Sequence, residues 1–379
     1  MENTKDALRS LEAHLRQTPD DATAWNMKGV VHAQRSEFGE ALRCLDQALQ
    51  IDSALVAAHT NRGRVLLAIS PEKATEALKS FNTALRLNPD DTDALRDKAQ
   101  ALRVLGRADE EIACYKRLSE QLPDEWGIWL RLGDLYLETG AIKSAIASYD
   151  TALQLKDDLV LAYIRRAIAL GMEHEFDEAL QSSKMATKLE SENADAWLIH
   201  GDVNLRAGKL RSAMRALKKA SELDPTNASV ENTMGMVAYK DGNLEDAAKH
   251  LRRAIIRKRN YPTAIRNLGL ILIELEEWEQ ASDVFNHLLE YVKNDPDVFD
   301  AQATVFARLE DFCSAQDAWE KARKLYKKKG NEKEAERVSA FGRAARINCH
   351  KIKKALKAQR EYEKQTKRFS SRHEHRKKK

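Results

Sequence analysis

The chain has 379 residues, with 63 Lys and Arg against 59 Asp and Glu for a net charge of +4, and charged side chains make up 32% of it. Aromatics are 6% and prolines number seven, which excludes a collagen-like or Pro-rich chain and fits a long helical array. The longest apolar stretch, near Leu268–Ile273, is far too short to span a bilayer, which excludes a helical membrane span.

Four cysteines, Cys44, Cys114, Cys313 and Cys349, are widely scattered and form no C-x-x-C pair. That spacing speaks against a zinc or redox motif, and the expectation is free thiols in a soluble cytoplasmic protein. The first residues, MENTKDALRS, contain no apolar signal core.

In chain order, residues 1–21 read as a half-unit: Ala7, Leu11 and Pro19 fit a single helix that caps the N-terminal end. From residue 22 a period of 34 residues takes over. Gly29 with Ala41 and Gly63 with Ala77 mark the first two units; the second carries two extra residues near Ser70-Pro71, where an inter-helix turn belongs. The third unit, from Thr92, is degenerate, with Ala99 in the glycine column and Glu111 where a small residue is expected. The columns then run cleanly. Gly133, Ala167, Gly201, Gly235, Gly269 and Ala303 are 34 apart, and so are Ala145, Ala179, Ala213, Ala247, Ala281 and Ala315. Two small-residue columns in one phase predict an antiparallel helix pair per period, because only Gly or Ala lets helix backbones approach closely. Units therefore begin near Ala22, Val56, Thr92, Trp126, Val160, Ala194, Ala228, Pro262 and Pro296. Pro89, Pro123 and Pro225 stop second helices, and Gly106, Gly140, Gly208 and Gly242 supply left-handed angles where first helices end.

The segment Trp129-Leu130-Arg131-Leu132-Gly133-Asp134-Leu135-Tyr136, followed by Ala145, Tyr149 and Ala152, matches W-x-x-L-G-x-x-Y and its second half. On these residues the chain resembles the tetratricopeptide-repeat (TPR) family. The resemblance implies an all-α fold: a right-handed α-solenoid of antiparallel helix pairs with a C-terminal capping helix. The expected organisation is an N-terminal half-repeat over 1–21, nine repeats over 22–329, a capping helix over 330–358 and a disordered basic tail over 359–379. One unit cannot bury its own face, so stacked neighbours share a continuous core.

Charge is segregated. Residues 343–379 hold 15 Lys and Arg against 3 Glu, a net of +12, which leaves the preceding 342 residues at −8. Val338, Phe341, Ala345, Cys349, Ile352 and Leu356 step by three or four, one apolar helix face suited to closing an array. Beyond it, Lys364, Lys367, Arg368, Arg372, Arg376, Lys377, Lys378 and Lys379 form an electrostatic tail. Such a tail attracts nucleic acid or another anionic surface without sequence preference; it also suits a merely solvated end, or one that folds back on the acidic body. Tyr362 and Phe369 are too sparse for a base-stacking platform.

The resemblance also places first-helix positions 2, 5, 9, 12 and 13 of each unit on a concave wall. Early units put polar residues there, among them Asn26, Arg64, Asp93, Arg96 and Arg103. Later units put apolar ones: Leu130, Leu137, Leu161, Ile164, Ile168, Met172, Leu198, Leu205, Met236, Tyr239, Leu270 and Ile273. An exposed apolar strip marks an interaction site, and this one suits a peptide or amphipathic helix of another protein. The competing reading is that packing within the array buries part of it. The family's clamp for chaperone C-terminal carboxylates needs Lys and Asn where this chain has Asn26/Val30 and Asn232/Met236, then basic residues where it has Asp93/Asp97 and Asp297/Ala301. A carboxylate would be repelled, so that partner is excluded.

No Walker loop, H-E-x-x-H, G-x-S-x-G or dinucleotide fingerprint occurs. The expectation is a protein with no catalytic residues, no cofactor and no metal, acting as a protein-interaction scaffold. The alternative is a nucleic-acid- or ribosome-associated protein that uses the basic tail.

Overall fold

The computed structural model describes the backbone of residues 2–377 and the side chains of residues 4–364. Every regular element among the described residues is helical, and the chain divides into two compact units, Met1–Ser191 and Glu192–Lys379.

In the first unit a single helix, α1 (Glu2–Gln17), precedes five antiparallel pairs. They are α2 (Ala22–Gln34) with α3 (Phe38–Ile51), α4 (Val56–Ile69) with α5 (Ala74–Leu87), α6 (Thr92–Val104) with α7 (Ala108–Gln121), α8 (Trp126–Glu138) with α9 (Ile142–Leu155), and α10 (Val160–Met172) with α11 (Phe176–Leu189). The second unit has four pairs and a closing helix. The pairs are α12 (Ala194–Arg206) with α13 (Leu210–Leu223), α14 (Ala228–Lys240) with α15 (Leu244–Arg257), α16 (Pro262–Glu274) with α17 (Trp278–Tyr291), and α18 (Pro296–Arg308) with α19 (Phe312–Lys328). The closing helix is α20 (Glu332–Lys377).

Helix ends follow from local chemistry. Asp21, Asp91 and Asn193 accept hydrogen bonds from the amides of Ala24, Ala94 and Ala196, so first helices begin on side-chain caps. The turn inside every pair but the second uses one device. Gly106, Gly140, Gly208 and Gly242 have positive φ, and Ser36, His174, Glu276 and Glu310 adopt the same left-handed backbone at the equivalent place. The geometry is thus imposed by the pair even where the residue carries a Cβ. In the second pair the extra residues replace this turn with a short 3₁₀ helix, Pro71–Lys73.

The packing between paired helices rests on size complementarity sixteen residues apart. A Cβ added at Gly201 would lie 2.6 Å from Leu217 Cγ, and one at Gly269 would lie 2.8 Å from Phe285 Cζ. At Gly133 it would overlap the Tyr149 ring. Where the first helix carries Ala167, the facing residue is the small, fully buried Ser183. Tyr149 is itself fully buried, and its hydroxyl donates to Asp134 Oδ1 at 2.9 Å. Burial and the Asp134 carboxylate push its pKa above the ordinary tyrosine value, so it stays neutral. Trp129 Nε1 donates to the Pro123 carbonyl at 2.8 Å, and Trp25 Nε1 to the Pro19 carbonyl at 2.9 Å. One tryptophan thereby ties a first helix to the turn that precedes it.

Within each unit, first helices also touch first helices: α2 with α4, α4 with α6, α8 with α10, α12 with α14, and α16 with α18. No two successive second helices make comparable contact among the described residues. The first helices therefore line the inner side of each unit.

Two sequence expectations need correction. The four thiols are not all free: Cys313 of α19 and Cys349 of α20 form a disulfide, with their Cα atoms 4.9 Å apart, while Cys44 and Cys114 are free and buried. Their separation of 36 residues matches no short motif, and only the antiparallel packing of α19 on α20 brings them together. The capping helix was expected to end at 358, with disorder from 359; the backbone of α20 is helical to Lys377. From Arg343 onward no glycine or proline interrupts a run rich in Lys, Arg, Gln, Glu and Ala, which are good helix formers. The cap itself is short. Val338, Ala345 and Cys349 are buried against Trp319 and Ala322, but Ile352 and Leu356 are exposed.

The pairing rule predicts that Gly133→Ala lowers stability by about 1–3 kcal/mol, the usual cost of overpacking. Urea denaturation followed by circular dichroism checks it; an unchanged midpoint would contradict the pairing.

Candidate interaction surface

Helical periodicity sets every third or fourth residue of a first helix on its inner side. In the first unit Leu161 (47% exposed) and Met172 (48%), eleven residues apart and so on one face of α10, are open to solvent. Leu130 and Leu137 of α8 and Ile168 of α10 are half-buried beside them. Leu130 and Leu137 rest one flank on the cluster around Ala145 and Tyr149. Ile164 departs from the expectation: it is 8% exposed and belongs to the core. Tighter packing of α10 on its neighbours takes up that position.

In the second unit Leu270 (44% exposed) is the most accessible predicted side chain. Leu198, Leu205, Met236, Tyr239 and Ile273 are half-buried. Leu198 and Leu205 pack on the cluster of Ala213 and Leu217, and Tyr239 and Ile273 on the cluster of Leu251 and Leu268. The apolar wall is therefore part core and part surface, with each half-buried side chain presenting an edge to solvent.

Polar contacts fix the wall's register. Asn61 Nδ2 donates to Asn26 Oδ1 at 2.9 Å, and Asn267 Nδ2 to Asn232 Oδ1 at 3.1 Å. Asn61 and Asn267 are thus engaged by the asparagines that stand where a carboxylate clamp would place lysine. Arg64 Nε meets Asp97 at 2.5 Å, and Arg266 Nη2 meets Asp295 at 2.5 Å. Burial raises the Asp97 pKa above the ordinary carboxylate value even with Arg64 beside it. Tyr239 donates to Glu274 at 2.8 Å, and that hydrogen bond raises the tyrosine pKa. Each contact links residues of successive pairs and locks neighbouring first helices together.

The degenerate third repeat has a specific explanation. Glu111 occupies the small-residue column, is 2% exposed, and accepts from Arg131 Nη2 at 2.9 Å and from Arg103 Nε at 3.2 Å. A buried carboxylate is tolerated only when so paired.

Of the predicted tail, Lys364 is an exposed residue of α20, which carries Lys351, Lys353, Lys354, Lys357 and Arg360 ahead of it, all exposed. The side chains of Lys367, Arg368, Arg372, Arg376, Lys377, Lys378 and Lys379 lie outside the described residues. No described helix is long and apolar enough to cross a membrane.

Comparison with known proteins agrees with this architecture. Residues 118–341 match the family described as the C-terminal domain of cilia and flagella-associated protein 70, and residues 1–56 and 64–121 match the tetratricopeptide-repeat family. The chain belongs to the tetratricopeptide-repeat proteins, and over 118–341 to the cilia and flagella-associated protein 70 C-terminal domain family. Anaphase-promoting complex subunit 3 of Schizosaccharomyces pombe is 24% identical over 189 residues, 50% of this chain and 28% of that protein. Superkiller complex protein 3 of Mus musculus is 31% identical over 144 residues, 38% of this chain and 9% of that protein. The chain thus spans less than a third of the length of either relative. The solved structure of yeast Tom70 aligns with a TM-score of 0.56 at 14% identity, covering 91% of this chain and 86% of that one, a likeness of fold.

Removing Arg131 tests the buried pair. Arg131→Leu leaves the buried Glu111 with only the longer Arg103 contact and costs about 1–3 kcal/mol, whereas Arg131→Leu with Glu111→Ala recovers most of the loss. Chemical denaturation of both variants reads the difference; equal destabilisation would mean that the pair is incidental.

Proposed function

We propose that this protein is a non-enzymatic scaffold whose first-helix faces bind a peptide or amphipathic helix of another protein. The observation that carries the reading is the exposure of Leu161 and Met172 on one face of α10, flanked by the half-buried Leu130, Leu137 and Ile168. Half-exposed apolar side chains of this size gain about 1 kcal/mol each when a partner covers them. The stacked pairs hold that row in place before binding, so little ordering entropy is spent on this side. Leu270 offers a similar anchor in the second unit. Two of the matched relatives are named as subunits of multiprotein complexes, which supports a role in assembly.

The test is capture from nuclease-treated lysate with the full chain and with Leu161→Glu/Met172→Glu, identifying bound proteins by mass spectrometry. A protein partner lost by the variant, at unchanged helicity, is the expected result. Retention of every partner by the variant would overturn the reading.

A second reading has its own observation. Side chains 350–364 of α20 are all exposed, and six of them are Lys or Arg. A helix of this kind is suited to a polyanion such as RNA. It predicts that oligonucleotide affinity of the full chain falls steeply with salt and that removing residues 351–379 abolishes that dependence. Salt-insensitive binding, or none, would dismiss it.

A further inference from the structure

The second unit carries a cleft built from residues of three helices. A cleft of about 270 Å³ lies between α19 and α20, but a larger one, about 720 Å³, opens on the flank of α13 toward α14 and the start of α15. Leu210, Met214 and Val237 contribute its apolar floor. Arg211, Arg215 and Lys218 form one lip, all three exposed.

These three cations stand at spacings of four and three on one helix face, where like charges repel. None of them makes an ion pair among the described residues; Arg215 reaches only the Ser212 hydroxyl, at 3.4 Å. Two carboxylates, Asp241 and Asp246, stand on the opposite lip. Asp246 is engaged at the start of α15, where its side chain accepts from Asn243 Nδ2 at 2.9 Å and its amide donates to Asn243 Oδ1 at 3.1 Å. Two cations elsewhere in this unit are paired: Arg257 meets Glu231 at 2.9 Å and Arg266 meets Asp295 at 2.5 Å. The α13 row combines three clustered, unneutralised charges with an apolar floor.

We propose that this cleft is a second docking surface, separate from the first-helix face, and that it receives an acidic amphipathic helix of a partner protein. The apolar stripe of such a helix covers Leu210, Met214 and Val237, and its carboxylates neutralise Arg211, Arg215 and Lys218. The two aspartates decide the class of partner. A nucleic acid presents phosphate along its whole length and would be repelled at the far lip. A peptide helix carries charge on one side only and can turn an uncharged edge toward Asp241 and Asp246. Burying the floor and neutralising the lip act on the same ligand, so stripe and charge must both be present for binding.

The test uses the full chain and a fluorescein-labelled synthetic helix of about 18 residues, five turns, with leucines at i, i+4 and i+7 and glutamates flanking them. Fluorescence anisotropy is read for this peptide, for a scrambled peptide of equal composition without a stripe, and for a duplex oligonucleotide. The expected result is saturable binding of the striped acidic peptide, stronger than of the other two. Arg211→Glu/Arg215→Glu/Lys218→Glu, and separately Met214→Asp, should each weaken it at least about tenfold, or 1.4 kcal/mol. A charge reversal elsewhere, Lys79→Glu/Arg86→Glu at exposed positions of α5, should leave it unchanged. Circular dichroism confirms that each variant keeps its helicity, and should one of the two cleft variants unfold, the other decides. No saturable binding overturns the proposal. So does equal binding of the scrambled peptide, preference for the duplex, binding that both α13 variants leave intact, or an equal loss in the α5 variant.

Discussion

The close approach of paired helices, purchased by a small residue in one and filled by a large one in the other, is the constraint on which the rest of this structure depends. Gly63 meets Phe81, Gly133 meets Tyr149, Gly201 meets Leu217 and Gly269 meets Phe285, each without space for a single added methyl group. The contact is local in sequence, with sixteen to eighteen residues between partners, so every pair brings most of its own packing with it. What a pair cannot do is bury its outer flanks. Those are sealed by its neighbours, and the stack grows by repetition.

Between pairs the chemistry is different. Asparagine amides bond across Asn26–Asn61 and Asn232–Asn267, and arginines reach the next repeat at Arg64–Asp97 and Arg266–Asp295. These contacts are polar because first helices converge on the inner side, where water remains near. A surface built this way is rigid and still presents apolar edges. That combination suits recognition, since a partner finds the anchors already placed.

The two faces of the second unit differ in character. First helices offer scattered apolar anchors with paired charges between them. The α13 face offers unpaired positive charge beside an apolar floor. A scaffold with distinct chemistry on its two sides can hold two unlike segments at once. The Cys313–Cys349 bond and the Trp319–Phe341 ring contact, 5.6 Å between centroids, fasten the first part of α20 to the last pair, while residues 350–364 are exposed.

Periodicity by itself determined the helix pairs, because the 34-residue columns of Gly and Ala report a close helix contact that favours small residues. It also located the turns, though not that His174, Glu276 and Glu310 would take left-handed angles that elsewhere fall to glycine. The inner apolar row was legible as positions, but not which of them face solvent. Ile164 and Leu161 look alike in sequence, and the packing around α10 buries one and leaves the other exposed. Glu111 read as a blemish, because its partners Arg103 and Arg131 stand eight residues before it and twenty after, in other helices. The disulfide and the α13 cleft were invisible for the same reason. Each depends on residues brought together by packing between helices, and a single sequence records the period of a helix face but not what that face meets.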